Sequence, residues 1–338
     1  MRASSSFRLI LLFCGLAAGL SLPNFYALGQ DVGAELGGAA GIFRPKNPEA
    51  KKRTGRPSPA TRRGSASRSA GSTTAGVGER VEDLLAKGNE FRDARRFTDA
   101  ETSYQSILNI KPLDGRAAYG LGNIYSDQQR WEEAENAYRN AVQWSPSNVD
   151  ALIALSVVLV QPRTGADNAK RFAEAESFAR RAVQLEPKNA VAWDRMGVAL
   201  QARGVFNNET EHAYRRAVEL DSQFPVAYAH LARVLKRMGR SDEAAPFYQK
   251  ATSLAKDPAT LNLIAESLQA EQQWENSEPV LKRALELDAR NPTALSLMGR
   301  MLVVLKRYRE AEPHLKLATT VSPRAFEPLN LLGRAYLG

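Results

Sequence analysis

Gly115–Asn148 reads GRAAYGLGNIYSDQQRWEEAENAYRNAVQWSPSN, and its Leu121, Gly122, Tyr125, Ala134, Tyr138, Ala141 and Pro146 return about every 34 residues from Val81 onward. A period of that length describes a pair of helices joined by a short turn. One such pair cannot bury its own apolar face, so neighbouring pairs must stack into a solenoid. The remaining units follow from this one by register. Unit one, Val81–Asp114, carries Leu84, Gly88, Phe91, Ala100, Tyr104, Ile107 and Pro112. Unit three, Val149–Asn189, keeps Leu152, Leu155 and Leu159, then Phe172, Ala175, Ala182 and Pro187, with Gln161–Asp167 inserted between its helices. Unit four, Ala190–Phe224, shows Trp193, Gly197, Leu200, Tyr214 and Ala217. Units five (225–257), six (258–291) and seven (292–325) follow, six being the most worn, with Ala265 and Ser277 where Gly and Ala are expected. A partial eighth, 326–338, contributes Leu329, Leu332, Gly333 and Tyr336.

These residues resemble the tetratricopeptide repeat family over roughly Val81–Gly338. The expected fold is all-α, a right-handed α-α superhelix preceded by a signal peptide and a disordered basic linker. Packing gives the pattern its physical sense. The Gly and first Ala belong where two helices cross closely, the large residues such as Trp193 and Tyr125 fill space between pairs, and the Pro begins the next turn.

Charge separates the repeats from what precedes them. Residues 1–80 hold 12 of the 46 Lys+Arg and 4 of the 37 Asp+Glu, which leaves 34 basic and 33 acidic residues in the array. Arg2 and Arg8 flank a short basic region, Leu9–Leu22 is apolar, and Ala27-Leu28-Gly29 offers small residues for cleavage before Gln30. Residues 1–29 therefore read as a signal peptide, with the mature chain exported to a periplasm or the exterior and holding no transmembrane span. Cys14 is the only cysteine and lies within that segment, so the mature protein would depend on packing and not on disulfides. Residues 30–80 are rich in Gly, Ser, Pro and Arg and poor in apolar side chains, as a disordered linker is. Its basic clusters, Lys51–Arg56 among them, either hold an anionic surface or serve as a solvated tether. No aromatics are interleaved with the charges, and export also argues against nucleic acid.

Catalytic signatures are missing from the repeats. His212, His230 and His314 fall in different units and share no metal-binding spacing, and there is no Gly-x-Ser-x-Gly elbow, phosphate loop or dinucleotide fingerprint. The reading is therefore of a non-enzyme without cofactor or metal. The resemblance implies a concave groove lined by the first helix of each unit, whose ligand is a protein or peptide. It assigns to that groove a polar start at Asn89, Arg92, Tyr119 and Asn123, an apolar middle at Ile153, Val157 and Val198, and a basic run at Arg195, His230, Arg233, Lys236, Arg237, Arg300 and Arg334. An extended peptide with acidic character fits that sequence of surfaces. Against it stands the reading that these arginines pair with Glu and Asp of adjacent units. Some family members clamp a terminal carboxylate with Asn and Lys, and here Leu85 stands where the clamp wants Lys.

The chain reads as an exported scaffold for protein-protein interaction. Two alternatives remain open: the helical arm of a larger enzyme such as a glycosyltransferase or protease, and an envelope-assembly factor tethered by its basic tail. The first draws on the last helix, whose apolar face would be left uncovered after Tyr336.

Overall fold

The computed structural model describes residues 71–338, and the expected signal peptide, 1–29, together with residues 30–70 of the expected linker lie outside them. Fifteen helices follow one another among the described residues, with no strand. They are α1 (Gly71–Asp93), α2 (Phe97–Ile110), α3 (Gly115–Asp127), α4 (Trp131–Trp144), α5 (Val149–Leu159), α6 (Asn168–Leu185), α7 (Ala190–Ala202) and α8 (Asn208–Leu220). Then come α9 (Pro225–Arg237), α10 (Ser241–Leu254), α11 (Pro258–Ala270), α12 (Trp274–Leu287), α13 (Pro292–Val304), α14 (Tyr308–Val321) and α15 (Phe326–Leu337). Odd-numbered helices are the first of each pair and even-numbered ones the second. The insertion in unit three forms the connection between α5 and α6, closed by the Asn168 side chain on the backbone of Arg163.

Helix α1 begins at Gly71, ten residues before the repeat register does, so helix replaces the last part of the expected linker. Residues 76–80 are exposed, and their helicity comes from propagation out of the packed turn at Val81, which costs little per residue once a helix is nucleated.

Local chemistry sets the helix ends. Asp114, Asn148, Asn189, Asp257 and Asn291 each cap a first helix by accepting a backbone N–H of its first turn. At the other end the chain enters the left-handed region at Arg95, Gln129, Gly204, Gly239, Gln272 and Lys306. The next residue then donates its N–H back to the carbonyl five residues earlier, as in Arg130 N to Tyr125 O at 2.8 Å and Arg307 N to Leu302 O at 2.8 Å. This is the Schellman stop, which satisfies carbonyls that the helix has left open.

In units one, two, four and seven a glycine of the first helix seats a large side chain of the second. A Cβ placed on Gly88 would stand 2.7 Å from the Tyr104 ring, and one on Gly197 2.6 Å from Tyr214; Gly122 faces Tyr138 and Gly299 faces Leu315 in the same way. The tyrosines are then fixed by their hydroxyls, Tyr104 donating to Asn89, Tyr138 to Asn123 and Tyr214 to Gln201, each at 2.9 Å. Trp193 and Tyr125 do not simply fill gaps between pairs. Both are half-buried, the indole N–H of Trp193 donating to the Pro187 carbonyl at 2.9 Å and the Tyr125 hydroxyl to Glu101 at 2.8 Å. Each ring has a polar handle, so it sits best at an edge where that handle finds a partner.

Second helices are tied to one another by ion pairs. The residue that completes the Schellman stop is often Arg, and the residue after the first Ala of each second helix is often Glu. Arg240 reaches back to Glu211 and Arg307 to Glu278, both at 2.6 Å, and Arg130 lies 3.8 Å from Glu101. In unit three Arg171 meets Glu135 at 2.6 Å, joined there by Arg139 and Arg163, and in unit four Arg203 reaches Glu176 from one turn earlier. Between α10 and α12 the corresponding positions are Ala245 and Gln273, so the charge pair is absent from that step.

Glu135, Glu176, Glu211 and Glu278 ionise more readily than usual. Glu278 is brought down to about 2 by hydrogen bonds from Arg307 and Lys282. At Glu135 burial opposes ionisation, and the hydrogen bonds and charges of Arg171 and Arg139 outweigh it, leaving its pKa lowered. A depressed pKa stabilises the fold above the unfolded carboxylate value of about 4.3 and stops doing so as pH falls through the folded value. Glu135→Gln is expected to cost about 1.5–3 kcal/mol at neutral pH, the worth of hydrogen bonds to a charged group. Urea denaturation in an acid series checks it: the gap between the wild type and the variant closes as pH drops below about 4, and a gap constant with pH rejects the ladder as its source.

Candidate functional site

Most successive first helices pack directly against each other, whereas successive second helices are spread apart. The array therefore curves with its first helices inside, and the inner face is the candidate binding surface. The expected site residues are distributed over it unevenly.

At the N-terminal end Asn89 and Asn123 are half-buried, and their side-chain oxygens accept the Tyr104 and Tyr138 hydroxyls. That use accounts for both residues structurally. Arg92 pairs with Asp93 at 3.0 Å, and the Tyr119 ring lies 5.9 Å from that of Tyr138. Further on, Ile153, Val157 and Val198 are buried.

The middle of the array holds a buried polar cluster on α7 and α9. Asp194 and His230 have no exposed surface, and the His230 Nδ1 lies 2.8 Å from the Asp194 carboxylate. Arg195 is 3.4 Å from the other oxygen of Asp194, and Arg233 is the largest fully buried side chain of the array. Burial disfavours the Asp194 charge, but His230 and Arg195 outweigh it and its pKa is lowered. The Tyr214 ring packs 5.2 Å from the imidazole. The structure thus puts Arg195, His230 and Arg233, all expected to meet a ligand, out of solvent's reach. Burying such groups is costly unless they are paired, which is why they cluster. A sequence signal existed in part: Asp194 and His230 are 36 residues apart, about one repeat, and so adjacent on neighbouring first helices.

The accessible cations lie in the later units. Lys236 is half-buried and Arg237 exposed, the latter bonded to Glu271 of the next unit at 2.6 Å. Arg300 pairs with Glu327 at 2.6 Å, and Arg334 is exposed. Pairing between adjacent units, the rival reading of these arginines, therefore holds for Arg237 and Arg300. Among the described residues no group of three or more His, Cys, Asp or Glu is arranged to hold a metal ion. No helix of these residues is long and apolar enough to cross a membrane.

A row of paired helices that exposes an inner face along its length defines a repeat scaffold for protein-protein interaction. Models of the tetratricopeptide repeat match residues 85–149, 119–190 and 225–258. The chain is a tetratricopeptide repeat protein. Among solved structures it is similar to a tetratricopeptide repeat protein from Parabacteroides merdae ATCC 43184, at 15% identity and TM-score 0.55 over 76% of this chain and 99% of that one. It is also similar to the APC/C hetero-tetramer Cut9-Hcn1, at 15% identity and TM-score 0.50 over 76% of this chain and 52% of that one. A thermophilic TPR protein of Thermus thermophilus matches at 23% identity and TM-score 0.46, over 57% and 99% of the two chains. No curated protein matches the chain.

Proposed function

We propose that the inner face of units five to eight binds an extended, acidic protein segment, and that the chain does so after export. The observation that carries the reading is the distribution of accessible charge: on that stretch of the inner face Lys236, Arg237, Arg300 and Arg334 all keep contact with solvent. Arg237 and Arg300 already hold Glu271 and Glu327, so a ligand carboxylate would replace a partner of the same chemistry. The exchange is freest at Arg300, whose partner Glu327 is exposed, and costs more at Arg237, whose partner Glu271 keeps only 10% of its side chain in solvent; it gives selectivity for acidic segments with a marked dependence on salt.

Peptide display against the full chain tests this. Enrichment of Asp and Glu is expected, with affinity falling as salt rises. Replacing Lys236, Arg237, Arg300 and Arg334 together by Ala should weaken binding by roughly tenfold or more and flatten the salt dependence. Neutral or basic ligands, or binding indifferent to the four changes, would overturn it. Export rests on Arg2, Arg8 and the apolar Leu9–Leu22. N-terminal sequencing of the secreted product should begin at Gln30; retention of the whole chain inside the cell would refute it.

A further inference from the structure

On the outer side of the array the second helices α12 and α14 border a cleft of about 410 Å³, the size of a small ligand pocket. Its floor is Leu285, Met298 and Leu302, the last two buried, and Glu286 of α12 and His314 of α14 stand on its two walls. The cleft lies between units six and seven, with both walls and the floor inside the array.

The polar groups of this cleft are not all spoken for. Arg307 holds both Glu278 and Glu310 at 2.6 Å, and Lys282 holds Glu278 at 2.8 Å. That network balances two carboxylates with two cations and leaves Glu286, which has no ion-pair partner among the described residues. In units two, four, five and six the residue before the Tyr or Leu of the second helix is Ala137, Ala213, Phe247 or Val280, whereas unit seven has the half-buried His314. Burial holds the His314 pKa below the usual imidazole value against the pull of Glu310, so the ring is neutral at pH 7. It has no hydrogen-bond partner among the described residues.

One unit earlier the array closes the same kind of gap with a guanidinium of its own. Arg283 of α12 reaches back to the end of α10 and donates to the carbonyls of Thr252 and Ala255 at 2.9 and 3.1 Å. Leu285 and Glu286 follow Thr252 and Ser253 by one period, but Leu317 stands 34 residues after Arg283 and has no charge to offer the end of α12.

We propose that the cleft between α12 and α14 binds an arginine side chain presented by a partner protein. Its alkyl stem lies on Leu285, Met298 and Leu302, its guanidinium meets the Glu286 carboxylate, and the His314 imidazole accepts one of its N–H groups. Arginine is selected over lysine because its planar fork serves two acceptors at once. The site is separate from the inner face, so one chain can hold an acidic segment inside and a basic one outside.

The test uses the full chain labelled with carbon-13 at its three histidines and the probe acetyl-Leu-Arg-amide. The NMR signal of His314, identified by its loss in His314→Gln, should move saturably with a Kd of roughly millimolar or below. The exposed His212 should stay still. Glu286→Gln, at an exposed position, should weaken binding by roughly tenfold without changing the melting curve, and acetyl-Leu-Gln-amide should not bind. Four results overturn the proposal. They are no saturation at roughly 10 mM probe, His212 moving in step with His314, affinity indifferent to Glu286→Gln, or a His314 signal that shifts without probe when Arg62, Arg63 and Arg68 are replaced by Ser. The last would make the chain's own basic segment the occupant.

Discussion

Asp194→Ala is expected to lower the unfolding free energy by about 3–5 kcal/mol, the cost of breaking a buried ion pair from one side. Asp194 has no exposed surface and is the carboxylate against which both His230 and Arg195 are set. Removing it takes a counter-charge from a place where water cannot substitute. Urea denaturation followed by circular dichroism measures the loss, and a change below about 1 kcal/mol would show that the cluster is not held by this carboxylate. Replacing Asp194 and His230 together by Leu should recover only part of the stability: the imidazole no longer needs a partner, but Arg195 stays buried without the carboxylate it faced. The pH dependence has a definite sign. The Asp194 pKa is lowered, so its contribution is present above the ordinary Asp value of about 3.9 and vanishes as pH falls through the folded value.

Gly197→Leu is expected to cost about 3 kcal/mol or more by overpacking. The first carbon of any side chain at Gly197 already lies 2.6 Å from the Tyr214 ring, and that ring is fully buried and fixed by its hydrogen bond to Gln201. The helices of unit four must separate or the tyrosine must leave its seat. Thermal and urea denaturation should both register the loss, and Gly197→Leu with Tyr214→Ala should regain part of it by moving bulk from one helix to the other. Gly333→Leu is the control. It makes the same change at the same repeat position where no ring stands opposite, and stability equal to wild type there would locate the cost at Gly197 in the ring contact.

Unit five bears on the rule behind that prediction. Ala232 stands where units one, two, four and seven have Gly, in a unit that still carries Tyr248, and both are buried. A methyl group is thus tolerated when the two helices are placed for it. The repeat position demands a small residue, and the exact size depends on how each pair is set.

Helix identity, helix order and the glycine and alanine positions were legible from spacing alone. Residues one period apart have the same neighbours in successive units, so Gly122 with Tyr138 announces Gly197 with Tyr214. The site was less legible. A groove position in a repeat register says which helix face a residue occupies. It does not say how tightly neighbouring first helices close over it, and that closure removes Arg195, His230 and Arg233 from solvent. The ladder of Arg and Glu along the second helices was present in the sequence as Arg four residues before the first Ala and Glu one after it. Each residue on its own looks like an ordinary solvated charge, and only the spacing across units marks it.

By itself the sequence determined that this protein is a series of helix pairs, because an apolar pattern of that period can be buried only by stacking like on like. Tertiary structure alone decided which charges face solvent. The contact between one unit and the next is set by the summed fit of many side chains, and a small change in that fit either seals an arginine beside a carboxylate or leaves it free to meet a partner.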